Sequence, residues 1–465
     1  MNRIRVEPHA FVLMAALTLA ACATAPLPQL PSPPMTLWRH AVPAGPATDL
    51  HNWWREFHDP ALDALVDRAL ADNLNAAQGV ERLYAARVLR LHADDRYRPQ
   101  VSARAADAVD YSAGQSYLVA GFDASWELGL FGRSAATRRI MQGELDSAAA
   151  ELEEVRVSLV GEVVVNWLAL GAAHEQAVLL AQIRDSRRQR LELLHIREHL
   201  GLSTAMQLIE AETALAHAGT ALLNVQQSID SAAQQLALLV GRAEPEDAWL
   251  QSGRLAHLGA FSLRQTPADL VRSRPEIRRA EAEVLRAAGE AGVARSDLMP
   301  SIGIGGTLQW ATNLEHNSAR HDTRIGAIGP SIDIPLFNWG VRLAQSKEKS
   351  FALQASVLAY REAVLEGVAE TETALGNLER QRESELLEES VVAGAEHSGV
   401  ATARRVDLKL ASQLDQQAAA IDAGEAQLEL LRARAARGTA YVALFKALGG
   451  APRPPADAGN TTLSP

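Results

Sequence analysis

The chain lacks the features that mark disulfide scaffolds, nucleic-acid binders and helical membrane proteins. It has one cysteine in 465 residues, so no internal disulfide can form. Its net charge of −11 argues against a nucleic-acid partner, because such proteins carry clustered Lys and Arg. No apolar run of about 20 residues follows the N-terminal segment, which predicts that no helix spans a membrane there.

Proline is absent from two long stretches of a chain that has 20 prolines. None lies between Pro99 and Pro245, and none lies between Pro335 and Pro452. Because proline breaks helix interiors, each gap predicts long helices. From Ser134 to His199 apolar residues recur at three- and four-residue steps, which predicts a helix of roughly 100 Å.

Each gap also predicts a helical hairpin that closes on a glycine. In the first, a turn at 201–204 reverses the chain and a second helix returns to Gly241. In the second, the outgoing helix is expected to begin near Arg342 and the return to end at Gly449. These glycines are 208 positions apart, and Pro99 and Pro300 are 201 apart. The chain is therefore a tandem duplication of about 200 residues, too long a period for a solenoid.

A different sequence pattern, with alternating apolar and polar residues, precedes each long helix. From Ser116 to Leu128 apolar and polar residues alternate, and the alternation returns from Ile325 onward, which is strand geometry. Val101–Tyr111 and Ile302–Trp310 are the expected partner strands. Each copy thus predicts one β-hairpin whose strands, at about 10 residues, can cross a membrane at a tilt. Aromatic residues at the strand ends are expected at the membrane interfaces: Trp126, Phe131, Phe337 and Trp339 at one end, and Tyr111, Tyr117 and Trp310 at the other.

Four strands with one apolar face cannot seal themselves. Either they pack in a soluble sandwich or beneath a helical layer, or several chains pool their hairpins into one barrel, because lipid tolerates no open sheet edge. We find no second apolar layer in the sequence for a sandwich. Asp123, Glu127 and Asp333 lie on the polar strand face and would favour cations in a barrel lumen, or would simply be the solvated face of the sheet.

The N-terminus has the pattern of a lipoprotein signal. Arg3 and Arg5 precede a short apolar run, Phe11–Ala21, which ends at Cys22 in Leu-Ala-Ala-Cys. Residues 1–21 are the predicted signal peptide, and Cys22 is the predicted site of a covalent diacylglycerol and N-acyl lipid. Ala23 after the cysteine favours the outer membrane over retention at the inner membrane. A proline-rich tether follows.

Three segments of the chain are distinctive: W-W-R-E-F-H-D-P-A-L (53–62), A-D-N-L-N-A-A (71–77) and R-P-E-I-R-R-A-E-A (274–282). Together with the paired strand starts and ends and the Leu-Ala-Ala-Cys signal, they resemble a known family, the TolC-like outer-membrane efflux channels, in the lipidated branch often called NodT. The resemblance covers essentially the whole mature chain.

The resemblance implies a mainly α chain with a membrane β-barrel portion. Long antiparallel coiled-coil helices would form a tunnel, and four strands per chain would contribute to a trimeric twelve-stranded barrel. It implies a homotrimer that works with a periplasmic adaptor and an inner-membrane RND transporter. The function would be passive conduction of drugs or other small toxic compounds out of the periplasm, without enzymatic activity or a further cofactor. Type I secretion or heavy-metal efflux uses the same architecture, and a periplasmic coiled-coil scaffold without a pore is the alternative from another class.

The expected organisation has ten segments. They are the signal peptide (1–21), the lipidated, extended tether (22–50), N-terminal helices (51–98), the first β-hairpin (99–131), the first helical hairpin (132–241), a connecting segment (242–265), the helix of the second repeat (266–299), the second β-hairpin (300–337), the second helical hairpin (338–449) and a C-terminal tail expected to be disordered (450–465).

The resemblance also assigns the helical hairpin tips to adaptor docking and closure of the tunnel. The first tip keeps the pattern R-x-x-x-G-L-x-T and the second departs from it. The docking residues expected are Arg197, Gly201, Ser203 and Thr204 in the first tip and Lys409 and Ser412 in the second. Ala411 stands where relatives carry a gate aspartate, so Asp407 and Asp415 are the candidate gate residues, or else solvated charges at helix ends.

One histidine pair has a spacing that a metal site would need. His195 and His199 lie at i, i+4 with Glu192 and Glu198 nearby, but no third strong ligand is evident. We therefore expect no metal site and no nucleic-acid partner.

Overall fold

The structure is a computed structural model that describes residues 27–31, 35, 37–40, 45–110, 115–263, 265–269, 273–313, 322–450 and 452. The signal peptide, Cys22, Tyr111 and most of the C-terminal tail lie outside these residues. The chain divides into two compact units. The first comprises the described residues of 1–31, 81–150 and 278–363, and the second those of 32–80, 151–277 and 364–465.

The order of one helix, two strands, a long outgoing helix and a returning helix occurs twice, and the first copy begins with one further helix. The first copy has α1 (Pro60–Asp72), α2 (Leu74–Leu91), β1 (Gln100–Asp110), β2 (Gln115–Glu127), α3 (Arg133–His199) and α4 (Ala205–Leu239). A short helix α5 (Asp247–Gln251) lies in the connecting segment. The second copy has α6 (Pro275–Ser296), β3 (Ser301–Asn313), β4 (Asp322–Asp333), α7 (Trp339–Asp407) and α8 (Gln413–Ala447).

The duplicated helices agree closely in length and in how they end. The outgoing helices α3 and α7 have 67 and 69 residues, and the returning helices α4 and α8 have 35 each. Each returning helix closes on a left-handed glycine, Gly241 at φ 71° and Gly449 at φ 72°. The helix α7 begins at Trp339, three residues before the expected Arg342, after a turn at Phe337 and Asn338.

The first unit contains the sheet and a tight helix contact. The strands form one antiparallel sheet in the order β1-β2-β3-β4. Where α3 meets α6, a Cβ on Gly143 would lie 2.7 Å from the Ala282 carbonyl oxygen, and a Cβ on Gly289 would lie 2.8 Å from the Ala136 carbonyl oxygen. Only glycine permits this approach of the two backbones.

The second unit is built around an aromatic core. Trp53 stacks on Phe445 at 5.6 Å, and Phe57 and Phe261 pack edge-on against Tyr441 at 5.5 and 4.7 Å. The buried Tyr441 hydroxyl donates a hydrogen bond to the Trp53 carbonyl at 2.8 Å. Burial raises the pKa of Tyr441 well above its usual range, so the hydroxyl stays protonated. The W-W-R-E-F segment is therefore a core element that ties the N-terminal region to α8.

Ion pairs between helices complete the second unit. Arg187 of α3 donates to the Ala214 carbonyl of α4 at 2.7 Å and pairs with Glu425 of α8 at 2.6 Å. Arg437 of α8 pairs at 2.8 Å with Glu385 of α7, whose side chain is 8% exposed. Since a buried carboxylate needs a partner, this pair satisfies Glu385 and joins α7 to α8.

One described helix departs from an expectation of the sequence. By length and composition α3 could cross a membrane, since it contains an 18-residue window of mean hydropathy 1.5. More than half of that window, 56%, is buried inside the protein. The apolar stretch thus supplies core contacts in a long helix.

Candidate functional site

The sheet has one apolar face that nothing in the described chain covers. Antiparallel register places Phe122 opposite Leu308, Trp126 opposite Ile304 and Ile302 opposite Ile332, and opposed residues share a face. Ile328, opposite Gly306, is 86% exposed. The exposed apolar members of this face are Val101, Leu118, Phe122, Trp126, Ile304, Leu308, Trp310, Ile328 and Ile332.

The opposite face of the same sheet is polar. The Thr307 hydroxyl donates to the Asp123 carboxylate at 2.8 Å across β2 and β3. Ser102 lies opposite Asp123, Glu127 opposite Gly303, and Ser301 opposite Asp333. The predicted acidic residues are therefore brought onto one face, away from the apolar one.

The sheet is open at both edges. Within the described residues β1 pairs only with β2, and β4 only with β3. Pro330 lies in β4, and proline is confined to edge strands in a sheet because it donates no ladder hydrogen bond. An apolar face, a polar face and two free edges are the properties of one segment of a larger barrel.

The strand ends nearest the long helices are fixed by hydrogen bonds and ion pairs. Arg133, the first residue of α3, pairs with Glu127 at 3.1 Å and also with Asp297. The Trp126 indole donates to the Tyr97 carbonyl at 2.9 Å. The sequence patterns gave no sign of this arginine-centred junction, because its members are far apart in the chain.

The four predicted interface aromatics differ in their surroundings. Phe337 is fully exposed, and Trp126 and Trp339 are also exposed. Phe131 is half-buried and takes a left-handed φ of 54°, in a turn between β2 and α3. At the other end of the strands, Trp310 packs edge-on against Phe122 at 6.4 Å.

The first tip, 197–204, is a helix-ending turn followed by a helix cap. The Leu202 N–H donates to the Arg197 carbonyl at 2.7 Å, and Gly201 takes φ 71°. The Thr204 hydroxyl accepts the Gln207 N–H, and the Gln207 side chain accepts the Thr204 N–H, which makes a capping box. The Arg197 guanidinium donates to the Leu202 carbonyl at 3.4 Å.

The second tip, 405–412, repeats this geometry with different side chains. The Leu410 N–H donates to the Arg405 carbonyl at 2.7 Å, and the Arg405 guanidinium donates to the Leu410 carbonyl at 3.4 Å. Lys409 takes the left-handed position with φ 58°. A non-glycine residue there costs of order 1–2 kcal/mol. The departure in sequence therefore leaves the backbone turn unchanged and adds strain.

The two candidate gate residues have different roles in the described structure. Asp415 closes the capping box of α8, since its carboxylate accepts from the Ser412 N–H at 2.8 Å and from the Ser412 hydroxyl at 2.7 Å. The Ser412 hydrogen bonds, together with Arg405 and Arg197, hold the pKa of Asp415 below its usual range. Asp407 is the exposed last residue of α7.

The remaining predicted tip residues are partly engaged within their own tips. Thr204 and Ser412 act as caps, and the buried Ser203 hydroxyl finds no hydrogen-bond partner among the described residues. His195 and His199 are exposed. No group of three or more His, Cys, Asp or Glu that could hold a metal ion occurs among the described residues.

The tether is attached to the second unit by contacts that the sequence did not reveal. Glu372 of α7, which is 8% exposed, accepts the backbone N–H of Arg39 at 2.6 Å and of His40 at 3.3 Å. The Trp38 indole donates to the Gln265 carbonyl at 2.7 Å. Residues 38–40 are thus held on the second unit by a buried carboxylate.

A duplicated chain with a four-stranded barrel segment and long helical hairpins defines a class, the barrel-forming outer-membrane channels with helical extensions. The model of the family described as Outer membrane efflux protein matches residues 65–242 and 266–450. The chain belongs to this family, and its place is the bacterial outer membrane.

The chain is similar to known relatives and to a solved structure over most of its length. The chain is 27% identical to "Pyoverdine export outer membrane protein OpmQ" of Pseudomonas aeruginosa, over 94% of this chain and 96% of that protein. It is 23% identical to "Nodulation protein T" of Rhizobium leguminosarum bv. trifolii, over 88% and 89%. The solved outer-membrane channel OprN shares the fold with a TM-score of 0.78 at 23% identity, over 92% of this chain and 99% of that chain.

Proposed function

We propose that three copies of this chain form a passive channel for an RND-type tripartite efflux system. Each copy supplies four strands to a twelve-stranded barrel in the outer membrane, and the helical hairpins extend the channel into the periplasm. Drugs or other small toxic compounds leave through it, and an inner-membrane RND transporter supplies the energy. The chain itself is not an enzyme.

The observation that carries this proposal is the sheet. Its exposed apolar face suits lipid, its polar face suits a wet lumen, and its two free edges cannot remain open in a bilayer. One copy has too few strands to close a barrel, because the smallest single-chain barrels need eight. Three copies give twelve.

The helices supply a second argument for association. Leu343, Phe351, Leu358 and Leu365 on α7 are exposed and recur at seven- or eight-residue steps. Such a stripe on a long helix is typical of a surface that packs against another helix. In the proposed trimer the neighbouring copy covers it.

Two further elements of the proposal concern the membrane and the periplasm. Covalent diacylglycerol and N-acyl lipid on Cys22 would anchor the chain, and the Glu372 contacts would hold the segment that follows. A periplasmic adaptor would dock on the two tips, which present the exposed pairs Leu200 and Leu202, and Leu408 and Leu410.

Reconstitution tests the proposal. The purified protein should run as a heat-resistant trimer on gels and should give discrete conductance steps in planar bilayers. A deletion strain should become sensitive to compounds that the restored gene removes. A chain that stays monomeric and soluble after delipidation, with no conductance, would instead support the scaffold alternative. Neighbouring genes for an adaptor and an RND pump would separate this role from type I secretion or metal efflux.

A further inference from the structure

The two tips offer an internal comparison, because one backbone geometry carries two sets of side chains. Position 201 and position 409 are both left-handed, and each lies between two exposed leucines. The preceding arginines, Arg197 and Arg405, donate to equivalent carbonyls at 3.4 Å. The first tip has glycine at the left-handed position and the second has lysine. The lysine is therefore not needed to build the turn.

Lys409 is a free cation at the apex of the second hairpin. Its side chain is exposed, and no hydrogen bond or ion pair within the described residues involves its ammonium group. Its backbone is in a region that lysine occupies only with strain. Strained residues that the fold does not require are concentrated at functional positions.

We propose that Lys409 determines specificity at the second tip by pairing with an acidic residue of the docking partner. This inference rests on the proposed function, since it needs a periplasmic partner at the tip. The docking partner would present a carboxylate to the Lys409 ammonium. Two apolar pockets, one on each side of that carboxylate, would receive Leu408 and Leu410. The first tip, with Gly201 between Leu200 and Leu202, offers the apolar contacts without the charge and accepts a neutral surface.

Charge complementarity is the reason to expect this chemistry. An exposed cation flanked by two exposed leucines becomes partly desolvated when a partner covers the leucines, and it then needs an anion. A like charge in the same place is repelled. The glycine of the first tip imposes no such requirement, so the two tips discriminate between partner surfaces that the same backbone would otherwise accept equally.

The test uses variants of the full-length protein in a deletion strain. Lys409→Glu should lower efflux-dependent growth in the presence of a panel of toxic compounds, with about a tenfold or greater loss of partner occupancy measured by photo-crosslinking from the exposed Gln413, next to the proposed contact. Lys409→Arg should behave as the unaltered protein. Lys409→Gln keeps the backbone strain and removes the charge, and its efflux should also be defective. This variant supplies the test if Lys409→Glu assembles poorly. The yield of heat-resistant trimer should be unchanged in Lys409→Gln.

Second-site suppressors identify the chemistry of the partner. Suppressors of Lys409→Glu should replace an acidic residue of a periplasmic protein by Lys or Arg. Moving the lysine to the first tip, in the double variant Lys409→Gly with Gly201→Lys, should leave efflux defective. Wild-type efflux by Lys409→Gln, loss of the heat-resistant trimer in that variant, or full rescue by the moved lysine would each overturn the inference. Loss of conductance by the unaltered protein would overturn the proposed function instead.

Discussion

A charge on the apolar face of the sheet gives the sharpest test of the membrane assignment. Ile328 lies near the middle of β4, is 86% exposed, and faces Gly306, which has no side chain to cover it. Arginine at the midplane of an outer-membrane barrel costs about 2–4 kcal/mol on the lipid face. Three copies in a trimer bring the cost of Ile328→Arg to roughly 6–12 kcal/mol, which lowers the assembly equilibrium by about four orders of magnitude or more.

The matched control is the neighbouring residue on the other face. Ala327 lies opposite Thr307 on the polar face, and Ala327→Arg adds the same charge one position away. The amount of heat-resistant trimer in outer-membrane fractions, read from unboiled gels, should fall sharply for Ile328→Arg and stay near normal for Ala327→Arg. Equal yields for the two variants, or a selective loss for Ala327→Arg, would refute the assignment of faces.

Three further predictions concern helix packing and the tips. Gly143→Ala should lower the free energy of unfolding by about 1–3 kcal/mol, since its Cβ would lie 2.7 Å from backbone atoms of α6. Gly399→Ala, in open space on α7, should raise the free energy of unfolding by about 0.5–1 kcal/mol. Unfolding in denaturant measures both changes. The pKa of Asp415 is lower in the folded state than in the unfolded state, so its helix cap is intact above the unfolded-state pKa and is lost as the pH falls through the folded-state pKa. Hydrogen exchange of the backbone amides at the second tip should therefore rise below about pH 4. The capping box of the first tip uses the neutral Gln207, and exchange there should not change in this way. Neutralising Asp407 and Asp415 together by Asn should raise the conductance of the resting channel, and unchanged conductance would place the constriction elsewhere.

The duplication made much of the fold predictable. Missing prolines marked α3, α4, α7 and α8, and period-two alternation marked the strands. Both signals are local and repeat twice, so each copy supports the interpretation of the other. The helix α7 begins at Trp339, three residues before Arg342, near which it was expected to begin.

The parts that escaped prediction depend on contacts between distant residues. Arg133 finds Asp297, and Glu372 finds the amides of Arg39 and His40, across separations that no local pattern encodes. At the second tip, by contrast, a change in sequence does not change the backbone. Its sequence departs from the usual pattern, yet the turn is kept, because the capping box of α8 and the hydrogen bond from Arg405 to the Leu410 carbonyl hold it. A single substitution is therefore poor evidence that the backbone has changed.

The central claim is that separate copies of the chain close one barrel through the free edges of β1 and β4. Because Cys22 is the only cysteine, pairs of new cysteines on the two edge strands report on this directly. A set of variants that combines a cysteine at Val101, Ala103 or Ala105 with one at Ile328, Pro330 or Ile332 would be oxidised in membranes. We predict covalent dimers and trimers on reducing-agent-free gels, with no larger species. Crosslinks confined to single chains, or none at all across the set, would contradict the account.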